Sequence, residues 1–201
     1  GLANAFGIKL SSTGAQIGGA IGGMLPIPGG NLIGAIAGGI LGAVFHKAKY
    51  GNASFQNGVM NVNTNTSKLD ATANSVGNDL STGLDNIVQA LGGTLGAFNV
   101  SLGQTDGKWR ISTTGRTGEL KSKYSDVKVF GEGDAAYKQA LNAAIVDAIS
   151  DGAVQGLSDA VSRALRSSTD IDKAVKEALK VKDLEALLKY GGNDFLKALD
   201  D

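Results

Sequence analysis

The sequence predicts an α+β protein. Three features carry that expectation: a charge-free, glycine-spaced stretch near the start, two glycine-containing hairpin signals in the middle, and apolar stripes at three- and four-residue steps in the last third. The expected architecture is a glycine-zipper helical hairpin over residues 1–47, then short antiparallel β-hairpins packed with a helix over residues 48–132. A C-terminal run of short helices follows over residues 133–201. A chain of 201 residues can bury one sizeable core or two small ones.

The opening segment is the most unusual. No charged side chain lies between Lys9 and His46, and Ile17 to Phe45 reads IGGAIGGMLPIPGGNLIGAIAGGILGAVF. Gly14, Gly18 and Gly22 recur at four-residue steps, as do Gly34, Gly38 and Gly42 beyond the Pro26-Ile27-Pro28 break. On a helix that spacing strips one face to bare backbone and lets a second helix approach closely. Each such glycine costs about 1 kcal/mol against alanine in a water-exposed helix. Close packing, in a protein assembly or in a bilayer, must offset that cost. Each arm has roughly 13 to 16 residues at 1.5 Å apiece, short of the roughly 20 that a spanning helix needs. A re-entrant or tightly packed hairpin is therefore expected. A secretory signal fits poorly, because Lys9 is the only N-terminal charge and the prolines interrupt the apolar run. Gly1 stands where a complete chain would have Met, which fits a piece of a longer or processed protein.

Asn57-Gly58 between alternating residues reads as a β-hairpin turn. Leu69, Ala73, Val76, Leu80, Leu84, Ile87, Val88 and Leu91 then lay one stripe along a helix, which Gly92-Gly93 ends. Phe98, Val100 and Leu102 alternate with polar residues, as do Trp109 and Ile111, across Asp106-Gly107, giving the clearest hairpin. Val127 to Phe130 reads as one more strand. Two separate hairpins make a marginal sheet, so neighbouring copies are expected to complete it and to cover the stripe from Leu69 to Leu91. Tyr137, Leu141, Ala144, Ile145, Ala148 and Ile149 form a helix that Gly152 closes, and Leu157 to Leu165 a second. Thr169 is placed as the N-cap of a third, with Asp170 and Asp172 in its first turn.

Composition limits the chemistry. With no cysteine there is no disulfide, thiolate ligand or thiol nucleophile. Nineteen basic and nineteen acidic residues cancel, so no net field attracts nucleic acid, and sequence-specific nucleic-acid binding is not expected. The single histidine, His46, cannot build a multi-histidine metal site, and no G-x-S-x-G elbow accompanies it. Gly131-Glu132-Gly133-Asp134-Ala135-Ala136 matches G-x-G-x-x-A, but its two acids would oppose a pyrophosphate. It reads as a strand-to-helix turn with Asp134 as the cap. Asp147, Asp151 and Asp159 are expected on wet helix faces or ends, and Trp109 as a core or interface anchor. No catalytic, cofactor or metal residue is expected.

Phe130 to Ala136, followed by AAIVDAISDGAVQGLSDAVSRALRSSTDIDKAVKEALKVKDLEALL from Ala143 to Leu188, resembles the C-terminal region of tape measure proteins of long-tailed bacteriophages and phage-like gene transfer agents. The resemblance implies a structural role in the virion tail. Such proteins fill the tail tube as long helices, and their C-terminal part lies at the distal end, commonly in three copies, against tail-tip or baseplate hub proteins. On infection they leave the tube and can help DNA through the host envelope, where a glycine-zipper segment could meet the membrane. The long coiled coil that measures length is not in these residues. A pore-forming or bacteriocin-like toxin shares the charge-free hairpin and is the alternative. An envelope-associated hydrolase is disfavoured by the one histidine and the missing cysteine.

Overall fold

The computed structural model describes residues 49–200. Asn57 and Gly58 take φ of 52° and 79°, the pair of positive values that a two-residue type I′ turn requires. That turn folds β1 (Tyr50–Gln56) against β2 (Val59–Thr64), with Gln56 opposite Val59. A short 3-10 turn at Ser67–Leu69 leads into α1 (Asp70–Leu91), which ends where Gly92 enters the left-handed region at φ 73°. After β3 (Thr94–Leu95), β4 (Val100–Thr105) returns to β5 (Lys108–Ser112) through Asp106 and Gly107, again at positive φ. Next come β6 (Val127–Gly131), α2 (Gly133–Asp151), β7 (Val154–Gln155), α3 (Asp159–Leu165) and α4 (Ile171–Asp200).

Both hairpins enter one antiparallel sheet in the order β2-β1-β4-β5-β6. β1 pairs directly with β4, Phe55 opposite Val100 and Ala53 opposite Leu102. This corrects the expectation that other copies must complete the sheet. The apolar stripe of α1 is likewise buried within the chain. Val76, Leu80, Leu84 and Ile87 pack with Ala53, Phe55, Val100 and Leu102 from the sheet, and with Tyr137, Leu141 and Ile145 of α2. The same core continues to Ile171, Ala174, Val175 and Ala178 of α4. The expected boundary between residues 132 and 133 falls at the turn from β6 into α2, and side chains from both sides of it share this core. β3 and β7 form a separate two-stranded sheet that the sequence reading did not foresee.

Three local expectations need correction. Glu132, not Asp134, occupies the N-cap position of α2, and Asp134 lies in its first turn. Asp170, not Thr169, caps α4, its Oδ1 accepting from Lys173 N at 3.2 Å. The shift follows from Asn142, which donates to Thr169 O and accepts from Ile171 N at 3.0 Å, so the helix starts one residue later. The C-terminal helices are also not uniformly short, because α2 runs 19 residues and α4 runs 30 around the short α3.

Candidate functional site

The packing residues Gly14, Gly18, Gly22, Gly34, Gly38 and Gly42, and His46 with them, lie outside the described residues. Among the positions that are described, Gly131 and Gly133 take φ of 105° and 77° in the turn from β6 into α2. The acids between and after them, Glu132 and Asp134, are exposed. Trp109 is buried against Tyr137 with ring centroids 4.5 Å apart, in the role of a core anchor.

The sheet face opposite the helices is polar and is covered by residues 113–126. Side chains from the strands donate to main-chain carbonyls of this strap: Asn52 to Gly118 O at 2.6 Å, Ser101 to Arg116 O at 2.7 Å, Arg110 to Leu120 O at 2.5 Å. Leu120 is buried at its centre. The strap is closed by Arg116, which donates through Nε and Nη2 to the two oxygens of Asp126 at 3.0 and 2.7 Å, its guanidinium 4.0 Å from the Tyr124 ring centre. Asp126 also accepts from Ser112 and Thr114 at 2.6 and 2.9 Å. The Arg116 bond, with the two hydroxyl bonds, holds its carboxyl well below the usual range against the opposing effect of burial. These bonds tie the strap to the sheet, while Arg110 Nε is buried without a partner.

Two carboxyl groups are shifted the other way. Asp79 on α1 accepts from the buried Tyr137 hydroxyl at 2.6 Å. Burial raises its pKa more than that bond lowers it. Asp147 on α2 lines a groove of about 690 Å³ together with Lys128, Lys138, Asn142 and Asp170. Its Oδ2 is buried and unpartnered, which corrects the expectation of a wet position. Burial first, and the nearby Asp151 second, push Asp147 up to about 6, against the opposing charge of Lys128. The Ser150 hydroxyl on the same groove donates back to Val146 O at 2.9 Å, so it is not paired with that oxygen. The groove thus offers a group that can exchange a proton near neutrality, without a nucleophile poised beside it.

Surfaces that want a cover are clearer. Leu184, Leu187 and Leu188 of α4 are 58%, 51% and 75% exposed, and Val59 on β2 is 64% exposed. The apolar stripes named from the sequence did not include this leucine patch. Among the described residues no group of His, Cys, Asp or Glu could hold a metal ion, and no helix is long and apolar enough to cross a membrane. No family model matches the chain, and no curated protein or solved structure matches it either.

Proposed function

We propose that the chain is a structural tail component, the distal end-piece of a tape measure protein, that contacts tail-tip or baseplate proteins and assists DNA passage through the host envelope. The observation that carries this reading is the apolar surface of α4. Among the described side chains the last α4 residue in the buried core is Ala178, yet the helix runs on and presents Leu184, Leu187 and Leu188 to the outside. Exposed leucines in a cluster mark a surface meant for neighbouring chains. The resemblance of residues 143–188 supplies the kind of assembly, and the glycine-spaced segment at residues 14–42 supplies a second close-packing element. In this reading Gly14, Gly18, Gly22, Gly34, Gly38 and Gly42 face other backbone in a helical hairpin.

Purified virions or gene-transfer particles should hold the chain at the distal end of the tail in a small fixed stoichiometry, three copies by the resemblance. Replacing Gly22 and Gly38 with Leu should lower particle yield while the sheet and the C-terminal helices keep their circular dichroism. Normal yield from that double variant, or a free monomer that turns over a cell-wall, lipid or nucleotide substrate, would overturn the reading. The charge-free stretch from residue 10 to 45 favours one second reading, a membrane-inserting toxin. Dye leakage from liposomes on adding the isolated chain, with no tail partner present, would select it.

A further inference from the structure

One corner of the sheet beneath the strap holds buried donors that the chain does not satisfy. Thr105 stands opposite Lys108, and Gly103 opposite Arg110, so Thr105, Lys108 and Arg110 share the face that carries Ser101 and Ser112. Asn52, Ser101 and Ser112 on that face all bond to the strap. Arg110 and Thr105 are only 7% and 2% exposed, yet Arg110 Nε and Thr105 Oγ1 have no partner. Diagonal neighbours of this kind lie about 7 Å apart, within reach of a long side chain. Arg110 uses one nitrogen, Nη1, to donate to Leu120 O at 2.5 Å. The Nε and Nη2 edge, by which Arg116 grips both oxygens of Asp126, makes no bond in Arg110. A buried guanidinium is costly unless an anion meets it. Among the described residues Arg110 forms no ion pair, and Glu119, beside Leu120 on the strap, lies 3.4 Å from Lys121 Nζ instead. Residues 1–48 contain neither Asp nor Glu, so the stretch that runs into β1 cannot supply a carboxylate.

We propose that this corner binds an oxyanion, a carboxylate or a phosphate, between Arg110, Thr105 and Lys108. Every uncommitted side chain there can donate: guanidinium and ammonium carry donors only, and the Thr105 hydroxyl can turn its hydrogen toward the ion. Nε and Nη2 of one guanidinium form a planar fork that matches two oxygens of a carboxylate or phosphate. Thr105 gives a third bond, and Lys108, the exposed member, brings a second positive charge to the same face. A cation is repelled by both basic side chains, and a neutral acceptor would leave the buried charge uncompensated. Nε is enclosed, so seating an oxygen on it moves the strap beside Leu120. The site is independent of the tail reading and of the groove at Asp147.

The test uses the full chain, titrated with sodium acetate and, separately, with sodium phosphate at fixed ionic strength. The Nε–Hε resonance of Arg110, assigned by its loss in Arg110→Lys, should move and saturate, and the Leu120 amide resonance should move with it. The urea midpoint should rise over the same range, as it does for a ligand that binds the folded state alone. The salt that binds more tightly tells a carboxylate source from a phosphate source. Thr105→Val keeps the shape and removes the hydroxyl. It should weaken the ion about tenfold, while the ion-free chain becomes no less stable, because a buried hydroxyl without a partner is lost. Arg110→Lys, which cannot form the fork, should weaken the ion further. An Nε–Hε resonance that moves with neither salt, undiminished binding by Thr105→Val, or an equal shift from sodium chloride alone would overturn the proposal. So would a shift of that resonance in Glu119→Gln without added ion, because Glu119 would then supply the counter-charge and the corner would be complete without a ligand.

Discussion

Asp147 and Asp126 show how one residue type is driven in opposite directions by its surroundings. Asp126 accepts two bonds from Arg116 and one each from Ser112 and Thr114, so its charged form is favoured by folding. Its contribution to stability is present above the ordinary carboxylate range and fades only as pH falls well below it. Asp147 has a buried oxygen without a partner, and Asp151 nearby repels its charge. Its folded pKa of about 6 lies above the unfolded 3.8, so the folded state holds the proton longer and stability falls as pH rises between those values. Asp147→Asn should remove that slope. The stability difference between wild type and variant should change in the variant's favour by on the order of 1 kcal/mol from about pH 4 to about pH 7, once screening of a half-exposed group is allowed for. Urea unfolding at the two pH values measures it, and a pH-independent difference would count against this account. From sequence the burial of Asp147 was invisible, because it depends on how α2 lies beside β6 and the start of α4.

At the scale of elements, α1 can lie low on β1 and β2 because position 77 has no side chain. A Cβ there would stand 2.8 Å from Ala53 Cβ and would also strike Met60 Sδ. Helix propensity alone predicts that Gly77→Ala stabilises by about 1 kcal/mol. The packing predicts the opposite sign: α1 must lift or Met60 must leave its place, at a net cost of about 1–3 kcal/mol. Thermal unfolding of the variant decides between them, and a raised melting temperature would show that the contact is softer than drawn. The apolar period that identifies α1 was readable from Leu69 to Leu91, and so was its glycine stop, since φ of 73° at Gly92 suits that residue. The caps of α2 and α4 were misplaced by one or two residues. Capping there is set by tertiary partners such as Asn142, which a local pattern of Thr, Asp and Glu does not reveal.

Across the whole molecule, one core joins the strands, α1, α2, α3 and the first turns of α4. The chain from Ala48 onward should therefore stay soluble when residues 1–47 are deleted, and unfold in one step. Trp109 is the single tryptophan and is buried against Tyr137 of α2. Its fluorescence and the far-ultraviolet dichroism should lose their native values together, as two-state unfolding requires. Separate transitions, or insoluble aggregates of the truncated chain, would show that the part after residue 47 does not stand alone.

The sequence by itself determined the local elements: two hairpins, through Asn57-Gly58 and Asp106-Gly107, and helices marked by apolar residues at three- and four-residue steps. Those signals are local because turn φ values and helical periodicity depend on neighbours a few residues away. It also determined the charge-free, glycine-spaced character of residues 10–45. Only the tertiary structure decided that β1 pairs with β4, so that both hairpins close one sheet inside a single chain. It alone turned Asn52, Ser101 and Arg110 onto the carbonyls of residues 113–126, buried one oxygen of Asp147, and left three leucines of α4 exposed. Each of these depends on contacts between residues far apart in the chain, and strand pairing of that kind is fixed by which faces can be buried together, which no short stretch of sequence records.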